Sequence, residues 1–432
     1  MTRTILFKTT LNFRLLFICA LAACVSLPIG FLSLAKFTLF IGTLIILLFS
    51  SKPLASSAAT VSSKPLTAML IFGILAAFAA SMTWTSGSQI EASNSLSKYG
   101  KLLIIPIFCV LIRDRKEALY ALACFCVAQL FLVVSAWMIF IELPVPWALS
   151  QSSLSQNVVF SSYLDESLMS AVFAAVSWHL RALVPGKYGA YCAIAACLLA
   201  IGNVFFLLQG RSAHVVTILL LTLATTWQMP RRYRAVVVVL PFFLVLILYL
   251  SSTKVQTRLN VLTKEVQAFS FKQGVKVESG NSSGIRLHFW HRAVQSISEN
   301  PVAGSGAGSW SNEFNRLERI NNPMHTNIPP MGNPHQEYLL WGVQLGVPGI
   351  LLLLALMVSI MKDTLSMDTQ TARATQSSLL ALAIACLFNS SLYDAQIGDF
   401  FCVVLGLLLA LGLHPHNSIQ PAVYLPKDDH PA

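Results

Sequence analysis

Residues 189–208 read GAYCAIAACLLAIGNVFFLL, twenty positions without a charged side chain. Crossing the roughly 30 Å hydrocarbon core of a bilayer takes about 20 mostly apolar residues in a helix, because no water is there to satisfy an open backbone. The stretch therefore predicts a membrane-spanning helix. Working outward, the same reading finds 12 such stretches, near 11–29, 31–50, 66–84, 100–112, 118–141, 164–181, 189–208, 212–229, 235–251, 336–361, 376–392 and 397–413. The fourth is short and is expected to begin near Leu96, and Pro28 and Gly30 are expected to turn the chain between the first two. Of 432 residues, 55% are hydrophobic and 11% charged, with mean hydropathy +0.68; a soluble chain carries roughly a quarter charged residues. A soluble enzyme, a disordered tail protein and a disulfide-rich module are excluded. The expectation is an all-α polytopic membrane protein.

The 29 Lys and Arg outnumber the 18 Asp and Glu, for a net charge of +11, which by itself suggests an anionic partner. The positions of these charges decide otherwise for most of them. Arg3 and Lys8, Lys52 and Lys64, Arg113 with Arg115 and Lys116, Arg181 and Lys187, Arg231 with Arg232 and Arg234, then Lys362 and Arg373 fall in alternate loops. Basic loops stay on the cytoplasmic side, so both termini are expected inside. The resulting division is 1–251 with nine spans, 252–334 as one large outer loop, 335–413 with three spans and 414–432 as a cytoplasmic tail. No nucleic acid is expected as a partner.

All nine cysteines lie in apolar stretches, and Cys124-Phe125-Cys126 has the wrong spacing for zinc, so neither a metal nor a disulfide is expected. Leu21-Ala22-Ala23-Cys24 has the shape of a lipoprotein cleavage box, but the apolar run continues past it and reads as a first membrane helix.

The loop 252–334 holds nine basic and five acidic residues. Val255, Leu259, Leu262, Val266 and Phe269 recur at helical spacing and predict an amphipathic helix, on the membrane surface or against the bundle. Residues 272–284 read as a Gly/Ser linker. A second helix is expected from near Ser283 through Arg286, Trp290, Ala293 and Ile297, stopped by Asn300-Pro301. Gly304-Ser305-Gly306-Ala307-Gly308 lacks the preceding strand and the Lys of a nucleotide loop and reads as a tight turn.

Beyond the loop, Asn333-Pro334-His335-Gln336 has the order of a cap, a first-turn proline and a capping-box glutamine, placing His335 in the first turn of the tenth span. The positive end of that helix would keep the ring neutral and able to accept a proton, as a general base requires. A capping histidine without chemistry is the alternative. Arg211 in Gln209-Gly210-Arg211-Ser212 stands at the outer end of the eighth span, where the charge bias leaves an arginine unexplained, and Arg286 opens the second loop helix. Guanidinium forks match phosphate oxygens, so the two would suit a diphosphate; headgroup snorkelling is the alternative. Lys98, Lys101 and Arg292 extend the basic set, Asp394 is one of several carboxylates near outer ends of spans, and Trp290 could stack on a sugar or anchor in the interface.

Together these residues resemble the bacterial O-antigen ligase family, with its polymerase and protein O-oligosaccharyltransferase relatives. The resemblance is carried by Gly210-Arg211-Ser212, by Arg286 and Trp290 on a helix ending in Asn300-Pro301 and Gly304-Ser305-Gly306, and by Pro334-His335 before Leu339, Leu340, Gly346 and Gly349. It implies a glycosyltransferase of the C-type fold, without metal or other cofactor, in the bacterial inner membrane. The reaction implied moves a glycan from undecaprenyl diphosphate to an acceptor on the periplasmic face, for the ligase a sugar of the lipid A core. It also implies that His335, Arg211 and Arg286 are the catalytic set. The short tail after the twelfth span favours the ligase over protein-directed relatives, which tend to carry a further outer domain. A secondary transporter or flippase is the competing class, but the chain has no evident half repeat and its polar residues gather in one loop.

Overall fold

The computed structural model describes residues 2–49, 65–148, 155–251, 282–321 and 332–414. Among them every regular element is helical: α1 (Thr2–Cys24), α2 (Ile29–Phe49), α3 (Leu66–Ser81), α4 (Gln89–Tyr99), α5 (Ile104–Leu111), α6 (Arg115–Phe140), α7 (Tyr163–Leu180), α8 (Gly189–Gly202), α9 (Arg211–Gln228), α10 (Arg234–Ser251), α11 (Ser282–Glu299), α12 (Trp310–Asn321), α13 (Glu337–Asp363), α14 (Thr369–Phe388) and α15 (Ala395–Leu413). The amphipathic helix expected through 255–269, most of the Gly/Ser linker and residues 415–432 lie outside the described residues.

Among the described residues, seven stretches are long and apolar enough to cross a membrane: α2, Gln89–Leu111 (α4 bent into α5), α6, α8 extended to Leu207, α13 extended to Ser366, α14 and α15. Helices α1, α3, α7, α9 and α10 occupy the other five predicted segments. The fourth segment starts at Gln89, well before Leu96, because Ser88 accepts from the Glu91 backbone N–H and Glu91 returns a bond to the Ser88 backbone, a reciprocal cap. Large apolar side chains face outward along α2 (Phe31, Leu34, Phe37) and α13 (Leu351, Leu354, Val358). Rows of this kind suit lipid and would be an aggregation hazard in water. The chain is a multi-pass helical membrane protein. Helix α15 lies at its centre, buried from Gln396 to Gly412 and packed on α5, α6 and α14, while α7, α8 and α9 form a second layer against α14.

Helix α13 is broken at Gly346 (φ 71°, ψ −162°), two residues before Pro348. Proline has no N–H to give the Gln344 carbonyl, and the Val347 N–H donates instead to Pro301 O (2.7 Å). Two carbonyls are thereby freed inside an apolar body. Ser305 N–H fills Val343 O (2.8 Å) and Gly306 N–H fills Gln344 O (2.9 Å). The glycine run is thus a backbone clamp on a broken membrane helix, a turn as expected. Its φ angles of 63°, 89° and 72° at Gly304, Gly306 and Gly308 favour glycine. Space demands it as well, since a Cβ at Gly306 would lie 2.3 Å from Thr85 Cα.

Candidate active site

Helix α11 ends before Asn300-Pro301, as the proline requires. Its residues have different jobs. Toward α12, Arg292 pairs with Glu318 (2.5 Å) and His288 Nε2 meets the same carboxylate (2.8 Å), all three buried. Helix α12 was not anticipated; its signal is Trp310, Phe314 and Leu317 at helical spacing, a stripe that packs on Phe289. Arg292 is therefore committed to holding α12. Trp290 is partly buried against the core.

Phe289, which also packs on α12, stacks beside the His335 ring (centroids 6.2 Å, 27°). Arg286, three residues earlier, shares its helix face. It is half-buried, and burial holds its guanidinium below its ordinary range; Tyr163 opposes the shift and Arg211 adds to it. Both arginines stay charged at any physiological pH. Arg211 reaches this neighbourhood because Gly210, ahead of it, rests on the first turn of α7: a Cβ there would sit 2.1 Å from Ser167 Oγ. Among the described residues neither arginine has a carboxylate partner. Two unpaired like charges held near one another suit a multiply charged anion.

His335 stands differently from its expected position. Helix α13 begins at Glu337, and Gln336 is its cap, its side chain accepting from Leu339 N–H (3.2 Å). Asn333 instead accepts the His335 N–H (2.8 Å), and His335 takes φ +53°. The ring therefore precedes the helix, and the argument from a first-turn position and the helix dipole does not apply. A bonded chain replaces it. Asn389 Nδ2 donates to Asp394 Oδ2 (2.8 Å), which fixes the amide so that its Oδ1 faces His335 Nδ1 (3.1 Å). An amide oxygen only accepts, so in a neutral ring the proton sits on Nδ1 and the lone pair on Nε2. That nitrogen has no partner among the described residues. Asn333 Nδ2 also points to Asp394 (3.4 Å). Burial raises the Asp394 carboxyl above its usual value, offset by His335, Lys101, Asn389 and Lys98.

The chain carrying Asp394 is itself held. Glu337, fully buried, accepts from Tyr99 Oη and Trp341 Nε1 on one oxygen (2.9 Å each) and from the Leu392 and Tyr393 N–H groups on the other (2.9 and 3.1 Å). Four donors make a buried carboxylate tolerable. Lys101 is buried and donates to the Asp394 and Ala395 carbonyls, so it fixes backbone, while the Lys98 ammonium lies 3.7 Å over the Tyr393 ring, within range of Asp394. Asp165, at the start of α7, is also within electrostatic range of Asp394. Asn389, Phe289 and the Glu337 hub escaped sequence reading, because Asn and Phe carry no distinctive chemistry until a fold places them. Among the described residues no three of His, Cys, Asp and Glu gather to hold a metal ion.

These features define a class: a multi-pass helical membrane protein with a histidine, a carboxylate and two arginines that have no carboxylate partner among the described residues, all toward one end of its bundle. The family described as O-antigen ligase matches residues 195–354, from within α8 to the middle of α13, and this segment is similar to that family. The match includes Arg211, Arg286 and His335 and leaves Asn389 and Asp394 beyond it. None of the curated proteins matches the chain.

Proposed function

We propose that the protein is an inverting, metal-independent O-antigen ligase of the bacterial inner membrane, with twelve spans and its site facing the periplasm. It transfers a glycan from undecaprenyl diphosphate to the lipid A core in lipopolysaccharide biosynthesis. The observation that carries this reading is the His335–Asn389–Asp394 chain, which leaves His335 Nε2 as a proton acceptor.

In this mechanism Nε2 takes the proton of the acceptor hydroxyl, and the oxygen attacks the anomeric carbon. The bond from that carbon to the diphosphate oxygen breaks, its electron pair leaves on the diphosphate, and Arg211 and Arg286 neutralise the new charge. Attack opposite the leaving group inverts the carbon. Lys98 stands where a further phosphate or sugar oxygen could be met. Asp394 acts through Asn389 and is a positioning residue.

The test uses purified full-length protein in detergent, with lipid-linked glycan and lipid A core and no ion gradient. Glycosylated lipid A core is the expected product. Transfer only onto a second lipid-linked repeat would reassign the protein as a polymerase, transfer only onto a peptide as a protein-directed enzyme, and no transfer in any arm would favour a transporter.

A further inference from the structure

At the opposite end of α7 lies a second basic feature that the reaction does not use. A cavity of about 150 Å³ is lined by Trp178, His179, Arg181, Gln228, Gln370 and Arg373, with Ala182 and Ala224. Its two guanidiniums stack on indoles, Arg181 at 4.2 Å from the Trp178 ring and Arg373 at 5.5 Å from the Trp227 ring. Among the described residues their hydrogen bonds go to main-chain carbonyls, Trp178 O and Trp227 O. Among the described residues neither has a carboxylate partner. The wall between them is fixed, because His179 Nε2 meets Ser377 Oγ (3.2 Å) and joins α7 to α14.

A second cavity, of about 230 Å³, runs on from the first and shares Trp178, Ala224 and Gln228 with it. It lies between α7, α8 and α9, and Ala174, Cys197, Ile201 and Leu220 make its lining predominantly apolar. A cationic cup continuous with an apolar groove has the shape and polarity of an anionic amphiphile. Arg181, Lys187, Arg231, Arg232 and Arg234 place this end among the basic loops, on the expected cytoplasmic side.

We infer that this cup and groove form a binding site for an acidic phospholipid of the cytoplasmic leaflet. The phosphate sits between Arg181 and Arg373, with one acyl chain along the groove between α7 and α9. Basic pockets between membrane helices on that side take acidic headgroups, and stacked guanidiniums keep their donor edges free for phosphate oxygens. The site does not depend on the reaction proposed above. A lipid there would brace α7 and α9, whose far ends carry Tyr163 and Arg211.

Native mass spectrometry of the full chain, incubated in detergent with dioleoyl phosphatidylglycerol or dioleoyl phosphatidylcholine, tests the site. The wild type should retain phosphatidylglycerol in preference to phosphatidylcholine, and Arg181→Gln with Arg373→Gln should lower that retention roughly tenfold or more. Ala224→Trp, which fills the junction of cup and groove, should reduce retention of both lipids. Each single arginine variant is read in the same way, so misfolding of the double variant would still leave a result. Equal retention of the two lipids by the wild type, or undiminished phosphatidylglycerol on every arginine variant that folds, would overturn the proposal. So would competition by glycerol phosphate as effective as that of the lipid, which would mark a free-phosphate site.

Discussion

The kink of α13 and the approach to its first turn pose the same problem, polar groups inside an apolar body, and resolve it in opposite ways. At the kink each freed group finds a partner: Ser305 and Gly306 fill two carbonyls and Pro301 takes the stray N–H. Before the first turn Glu337 is saturated by four donors, yet His335, two residues earlier, keeps one ring nitrogen bonded and the other open. An unmade buried backbone bond costs about 1–3 kcal/mol, which is why the clamp serves structure. The His335 nitrogen left open, oriented by a bonded amide, is where chemistry can happen.

That contrast can be broken at several points. The largest effect is expected from Gly306→Val, which adds a Cβ against Thr85 where φ is positive; about 4 kcal/mol or more should be lost, read as a collapse of the monodisperse peak on size exclusion. A stable, soluble variant would show that the clamp is dispensable. Arg292→Ala breaks a buried pair and should lower thermal stability by about 3–5 kcal/mol. By contrast, Arg286→Ala on the same helix should leave the melting midpoint near wild type and cut transfer at least a hundredfold. If the two arginines exchanged behaviours, the assignment of Arg292 to holding α12 and of Arg286 to the reaction would fail.

Asn389→Leu removes the acceptor for His335 Nδ1–H without unbalancing a charge. Transfer should fall roughly a hundredfold in kcat with KM little changed, because the acceptor still binds while the imidazole loses its preferred tautomer. A pure KM effect would instead place Asn389 in binding. The smallest effect concerns pH. Burial raises Asp394 above the ordinary aspartate value of about 3.9, so the folded state holds its proton more firmly than the unfolded one. Its contribution to stability is greatest below the unfolded value and declines as pH rises through the folded one. Asp394→Asn should remove that decline in a thermal-melting series across pH and lower transfer, whereas a slope matching wild type would contradict the assignment.

Much of this was legible in the sequence because membrane helices announce themselves by composition. Helices occupy all twelve apolar segments, though among the described residues seven meet the length and apolarity of a span. Arg211, Arg286 and His335 stood out because arginine at an outer span end and histidine beside a proline are chemically unusual. What stayed hidden was pairwise. Nothing in Asn389 or Phe289 shows that each will face His335, and nothing in Arg292 separates it from Arg286 until α12 brings Glu318 to it. The expected cap at Asn333 failed because Gln336 takes that role three residues nearer the helix's first free N–H groups, and Asn333 closes a turn on His335 instead.

The central claim is that His335 Nε2 accepts the acceptor's proton. Its most direct test is single-turnover transfer from lipid-linked glycan to lipid A core by purified His335→Ala protein, with wild-type elution volume and melting midpoint as the control for folding. Transfer should fall at least a hundredfold, as expected for a general base that contributes about 10²–10⁴. Transfer near the wild-type rate by a folded variant would contradict it.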